Sequence, residues 1–392
     1  MPILFIICPV ITIIGIYFNF YYSKGDQNFD WKYLIYCILI VSLVNSTKVP
    51  ENDLIWYLEA YERANGISFI AYIPLSGVNI GAPCTDFGYN LYVWILSNLF
   101  NGNTAAFKFV NSIVTYLILG FSIIKFGRKF QLPRHVVLVA ITLMLFIPYI
   151  FTMSLQIVRQ FFSGCILIYL LLDLLYFDSI KSFLKKNGLF ILLMFAFHKS
   201  SLFFIIFFLC PFLRKNPKDS ILLYCGIIVA LVGYQFLAKT LLPFLGDEQS
   251  SFSSAVQRAS ADTTFDLGQM SLIKILLICI FIFISITYAY LIRPYNKIGQ
   301  LKHILNIILI TCIFILLNLH QSELSNRFYF YILPFFPFLY ILISLKYSRI
   351  KGMSHLIFFV TIFSWMIYLY YGVWDYNLPV LGVFSPIFLY LM

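Results

Sequence analysis

Charge is what this sequence has least of. Only 11% of its 392 residues are charged, against 61% hydrophobic; a soluble domain carries about a quarter charged and about half apolar residues. That shortage excludes a soluble globular enzyme, a nucleic-acid binder and a disordered protein. Also missing is any stretch of soluble-domain length between the apolar runs. There is no Gly-rich phosphate loop between a strand and a helix, so nothing suggests a cytoplasmic ATP-binding domain or a primary pump. No internal repeat and no inverted-repeat pattern of a transporter stands out. The eight cysteines form no CxxC and no metal-ligand spacing. Seven lie in or beside apolar runs, where Cys behaves as a small hydrophobe, and no disulfide framework is indicated. The apolar start, Ile3 to Tyr22, lacks a basic leader and reads as a first span rather than a cleaved signal.

What is present is long hydrophobic runs. They lie near 3–22, 32–46, 104–126, 135–153, 157–177, 189–212, 220–245, 271–292, 303–319, 328–345 and 353–372, with a short last run at 378–392. At about 20 residues per span there is room for roughly ten to twelve transmembrane helices. Helices are expected because a lipid-facing backbone must satisfy its own hydrogen bonds. The expected fold is therefore all-α, a polytopic integral membrane protein with one transmembrane domain over 1–392.

The net charge of +11 fits the positive-inside rule. Eighteen of the 27 basic residues fall in six short segments: Lys24 and Lys32; Lys125 to Arg134; Lys181 to Lys186; Arg214 to Lys218; Arg293 to Lys302; Lys346 to Lys351. Placing all six in the cytoplasm leaves 47–103, 246–270 and 320–327 outside. The first is then an outer loop with interfacial helices, and 246–270 a second. Residues 88–100 are too short for a span and read as an interfacial helix. The run 189–212 has basic clusters on both sides, so its ends belong on one face. A re-entrant hairpin satisfies this, its tip being His198-Lys199-Ser200-Ser201. Non-helical backbone at that depth requires burial in protein or a wet cavity, so a polar cavity is expected near His198.

Charges within apolar segments are costly and are functional candidates by default. Arg159 opens the 157–177 run, with Gln156 and Gln160 on the same turn; it is either an interfacial anchor or an anion ligand. Arg327 opens the 328–345 run after a polar stretch containing His320 and Glu323. Two outer arginines suit bidentate capture of a diphosphate. Neutral His198 suits proton removal from a sugar hydroxyl near pH 7, and Lys199 suits phosphate. In the outer loop, Asp53, Tyr57 and Tyr61 are spaced i, i+4, i+8 and share a helix face. A carboxylate beside aromatic rings suits a sugar; an interfacial aromatic belt is the plainer alternative. Asp86 precedes the short outer helix, as its cap or as a catalytic base.

These pieces, in this order, resemble the EpsG-type group of Wzy O-antigen and exopolysaccharide polymerases. The carriers are Asp53-x3-Tyr57-x3-Tyr61, Asp86-Phe87-Gly88-Tyr89, Gln156-Ile157-Val158-Arg159-Gln160 and His198-Lys199-Ser200, with Asn326-Arg327-Phe328 in the second half. At Asp86 the family more often has Glu. The resemblance implies a GT-C-like membrane glycosyltransferase of the bacterial inner membrane, working at the periplasmic face without nucleotide sugar, metal or other cofactor. It would transfer a growing glycan from undecaprenyl diphosphate to a hydroxyl of a lipid-linked repeat unit. Arg159 and Arg327 would stabilise the leaving diphosphate, and His198 or Asp86 would deprotonate the acceptor. Asp53, Tyr57, Tyr61, Tyr89, Gln156, Gln160, Lys199, Ser200, His320 and Glu323 would bind substrate. Implied partners are undecaprenyl-diphosphate-linked repeat units, membrane lipids, a chain-length regulator and a flippase.

Rival readings are a lipid-linked oligosaccharide ligase, which usually has a larger outer loop, and a flippase or exporter, which predicts two-halves symmetry. A membrane O-acyltransferase would place its polar residues on the inner face. A purely structural subunit explains neither the buried His-Lys-Ser-Ser nor the outer arginines.

Overall fold

The computed structural model describes residues 9–22, 29–77, 84–177, 179–210, 274–276, 278–280, 282, 299–319, 322–347 and 351–371. The structure is 87% helical, without strands among the described residues. That is how an apolar chain closes its backbone hydrogen bonds in hydrocarbon.

The helices are α1 (Pro9–Tyr22), α2 (Phe29–Ser46), α3 (Asp53–Arg63), α4 (Phe69–Tyr72), α5 (Phe87–Leu99), α6 (Thr104–Lys129), α7 (Arg134–Phe146), α8 (Pro148–Gln156) and α9 (Val158–Asp173). They continue as α10 (Ile180–Phe197), α11 (Leu202–Leu209), α12 (Gly299–Leu317), α13 (Ser322–Ile332), α14 (Phe336–Tyr347) and α15 (Lys351–Tyr371). Among the described residues, three helices are long and apolar enough to cross a membrane: Thr104–Lys129, Val158–Tyr176 and Gly352–Tyr370. The bent pair α7–α8 makes a fourth if counted as one span. The runs 220–245 and 378–392, the loop 246–270 and most of 271–292 lie outside the described residues.

Three boundaries differ from the sequence-based expectation. The run 135–153 is not one straight span: α7 and α8 meet at 51°. Pro148 at the start of α8 cannot donate a hydrogen bond and forces Ile147 into an extended conformation. The run 328–345 begins earlier, at Ser322, and breaks at the 3-10 turn Leu333–Phe335, which contains Pro334. The run 189–212 does break at its polar centre, with a 3-10 turn at Lys199–Ser201. The helix leading to that break starts at Ile180 rather than 189.

The chain forms two compact units. The first comprises residues 1–173, 183–201 and 334–392; the second comprises 174–182 and 202–333. In the first, α6 packs against α2 and α9, while α7 packs against α14 and α15. Gly120 permits the α2–α6 approach, since a Cβ there would lie 2.3 Å from Leu34 Cδ1. Trp365 is fully buried, its ring 4.9 Å from Phe146 and 5.7 Å from Phe151. Polar groups tie the same core. Asn45 donates to Ser112 (2.9 Å) and Ser154 (3.2 Å), as buried amides within apolar helices require. In the second unit α12 packs on α13, and Phe203 sits 5.2 Å from Phe314 and 4.8 Å from Phe328.

Candidate active site

Four separate stretches of the first unit supply the polar cluster: α3, the start of α5, the first turn of α9 and the break after α10. Each is local chemistry before it is a site. In α3 the apolar positions Leu54, Leu58 and Ala60 are buried with Tyr57 and Tyr61. Asp53 in its first turn and Arg63 in its last complement the helix dipole. Between α8 and α9, Ile157 leaves helical geometry (φ −124°, ψ 51°). This break puts Arg159 in the first turn of a new helix.

Arg159 Nη1 donates to Asp86 Oδ2 at 2.8 Å. The same nitrogen is 3.0 Å from Cys84 Sγ. The guanidinium lies over two rings, Tyr57 at 5.6 Å and Tyr89 at 5.8 Å. Those rings meet edge to face at 5.6 Å. Cation–π contacts of this kind contribute about 0.5–2 kcal/mol each, and a planar guanidinium suits them better than an ammonium does. The Arg159 side chain remains 31% exposed, against 5% for Asp86.

His198 Nδ1 stands 3.4 Å from that same Asp86 Oδ2, a long contact by hydrogen-bond standards. The Lys199 backbone N–H also donates to Asp86. Burial alone would raise the Asp86 carboxyl. The His198 bond, the Arg159 charge and the Lys199 bond outweigh it and hold the group below the ordinary carboxylate value. Asp86 is therefore ionised at neutral pH and a poor proton acceptor. The capping alternative is not realised: Asp86 precedes α5 but makes no side-chain cap bond. The motif around it has a steric logic too. A Cβ on Gly88 would lie 2.8 Å from Ala196 Cβ and 3.0 Å from the Ala196 carbonyl carbon. Glycine thus lets α5 touch α10 two residues before His198. Phe162 and Phe197 stack at 4.1 Å beneath the same break.

The structure thus brings Arg159, Asp86, His198, Tyr57 and Tyr89 together. The other expected site residues are placed as follows. Tyr61 is fully buried, its hydroxyl donating to the Leu96 carbonyl and its ring 4.8 Å from Phe107. Asp53 is exposed at the start of α3. Gln156 donates to Glu51 Oε1 at 3.0 Å, and Gln160 is buried. The Lys199 side chain is exposed and Ser200 is half-buried. Arg327 belongs to the second unit, within α13 rather than at a helix start. His320 and the Glu323 side chain lie outside the described residues.

Two contacts were not foreseen from the sequence. Cys84 reads as a small residue in a loop and carries no motif. Glu51 is flagged only by its i,i+3 spacing from Lys48, which many solvated loops share.

Chemically, the cluster holds one half-open cation able to meet an anion and one histidine whose Nδ1 faces a carboxylate. The opposite ring nitrogen, Nε2, is then the one suited to take a proton from a substrate. The EpsG family model matches residues 32–385, nearly the whole chain. No curated protein and no solved structure matches it.

Proposed function

The chain belongs to the EpsG family, and from that membership and the Arg159–Asp86–His198 geometry we propose a polysaccharide polymerase that transfers glycan between polyprenyl-diphosphate carriers. The family itself suggests a polymerase-type function in polysaccharide biosynthesis, and the long apolar helices suggest a membrane protein. The proposal adds the periplasmic face of the inner membrane, an undecaprenyl-diphosphate donor and a lipid-linked repeat unit as acceptor.

In this reading the acceptor hydroxyl gives its proton to His198 Nε2 as its oxygen forms the new glycosidic bond. The bond from the anomeric carbon to the diphosphate oxygen breaks, and its electron pair leaves with undecaprenyl diphosphate. Attack opposite the leaving group inverts the anomeric centre. Arg159 meets the charge growing on the diphosphate, a contribution worth several kcal/mol in a water-poor site. Asp86 orients the imidazole and stabilises its protonated form, the role a carboxylate has behind a histidine base. Tyr57 and Tyr89, lying under the guanidinium, keep it aimed.

The single observation that carries this reading is that one Asp86 oxygen faces both Arg159 and His198. It fixes the anion ligand and the base relative to each other, which a mere interfacial arginine does not need. The test is deletion of the gene in its host and a gel of the surface glycan. Core bearing one repeat unit, with the ladder gone, supports a polymerase. Bare core with lipid-linked units accumulating points instead to a ligase or flippase, separated by the side on which the units collect. An unchanged ladder removes the glycan reading.

A further inference from the structure

Beside the cluster lies a charge network, a half-buried Glu51 on a buried lysine, that the reaction above leaves unused. Lys48 is fully buried just after α2, its ammonium 2.9 Å from Glu51 Oε1. Gln156 Nε2 donates to the same oxygen at 3.0 Å. Lys108, also buried, donates from Nζ to the Lys48 carbonyl at 2.6 Å. An exposed pair at i,i+3 spacing contributes little. A buried ammonium differs, because removing its carboxylate leaves an uncompensated charge. Glu51 is therefore held firmly.

Its two attachments flank Arg159. On one side the Glu51 carbonyl accepts from the Leu54 N–H at 3.0 Å, in the turn that opens α3. Tyr57, six residues on, lies against the guanidinium. On the other side Gln156 is the last residue of α8, three positions before Arg159. The Glu51 carboxylate thus ties the break from which the arginine projects to the buried Lys48, while its backbone lies in the turn that opens α3. The Glu51 carboxyl is held below its ordinary value. Burial opposes that shift, but Lys48 and Gln156 outweigh it, so the grip persists at neutral pH.

We propose that Glu51 is a positioning residue for the transfer reaction: its carboxylate ties Gln156 at the α8–α9 break to Lys48, and so holds Arg159 over the Tyr57–Tyr89 pair. This rests on the role given to Arg159 above. A misplacement of about 1 Å in such a group costs on the order of a hundredfold in rate.

The experiment uses the full chain in membranes with three variants: Glu51→Ala, Gln156→Ala and the exchange K48E/E51K. The exchange keeps an ion pair at i,i+3, and the Gln156 amide oxygen then accepts from the new ammonium. Two readouts are taken. One is polymer formation at saturating and limiting lipid-linked substrate. The other is the rate at which phenylglyoxal labels Arg159, located by peptide mapping. Glu51→Ala should lower the saturated rate about tenfold to a hundredfold and label Arg159 several times faster. Gln156→Ala should do the same more weakly, and the exchange should recover most of both. Unchanged Arg159 labelling in Glu51→Ala overturns the proposal, whatever the rate does. So does a labelling change that the exchange fails to reverse. Labelling does not depend on catalysis. If Arg159→Ala keeps full activity, the catalytic reading fails while the labelling result still decides whether Glu51 holds Arg159.

Discussion

Two buried carboxylates, both served by α9 and α10, make an instructive pair. Asp86 faces Arg159 at the start of α9 and His198 just past the end of α10. Asp173, the last residue of α9, faces Lys125 of α6 and accepts from Asn187 of α10 at 2.7 Å. Each is a carboxylate held by one cation and further partners: His198 and the Lys199 N–H at Asp86, the Asn187 amide at Asp173. They differ in what those partners can do. Arginine offers a flat fork for a diphosphate and histidine can move a proton near pH 7. Lysine and asparagine offer a point charge and an amide. Both carboxylates are buried, and of their cations the Arg159 guanidinium, at 31% exposure, is more open than Lys125 at 21%. Lys125 is further covered by the rings of Phe121 and Tyr169, at 5.9 and 5.4 Å. The same architecture makes the proposed reactive cluster at one place and a clamp on three helices at the other.

That contrast is open to direct attack. The largest effect belongs to His198→Gln, which should lower transfer about 10²- to 10⁴-fold at normal membrane levels; a rate assay on quantified membranes checks it. Next is Asp173→Ala, which should cost about 3 kcal/mol of stability by stranding Lys125. Thermal unfolding in detergent should show the loss, and the protein that remains folded should transfer at a near-normal rate per molecule. If instead its rate falls as steeply as that of His198→Gln, the division between reactive cluster and clamp collapses. Arg159→Lys should retain charge yet lose about tenfold or more in rate, because the bidentate fork and the cation–π contacts over Tyr57 and Tyr89 go with the guanidinium. Gly88→Ala should cost about 1–3 kcal/mol through overpacking against Ala196, and its residual activity should drop with the displaced α5.

The smallest effect is on pH dependence. The folded-state value of Asp86 is depressed, so its contribution to stability is complete above the unfolded value of about 3.9. It is lost as pH falls through the depressed folded value. Asp86→Asn should flatten that acid loss. A melting series from neutral to acid pH would show it, and a series that is superimposable on the native protein's after normalisation would deny the pairing.

Much of this is legible in the chain itself. The apolar runs mark α2, α6, α9 and α15, because a period of buried side chains and a scarcity of charge leave few alternatives. The spacing of Asp53, Tyr57 and Tyr61 marks α3, and the polar tip at His198 marks the break after α10. What is not legible is who meets whom. Asp86 and Arg159 are 73 positions apart, and Asp86 and His198 are 112 apart; nothing local distinguishes a cap from a base or an orienting carboxylate. Pro148 is visible as a breaker, yet the apolar run reads through it, since hydropathy carries no direction. Tyr61 shares a face with Tyr57, but the drift of the helical period turns it under α5 to the Leu96 carbonyl. Glu51 and Lys48 pass for loop charges until the full burial of Lys48 and the Gln156 contact are known.

The central claim is that Asp86 serves the reaction and Asp173 serves the fold. It is tested most directly by the turnover of the purified full chain carrying Asp86→Asn or Asp173→Asn on a synthetic lipid-linked repeat unit, with a melting curve for each. The account predicts that Asp86→Asn loses at least about tenfold in turnover, since the charge behind His198 is gone, with a small change in melting. Asp173→Asn should melt earlier and turn over nearly normally. Native turnover in Asp86→Asn would contradict it.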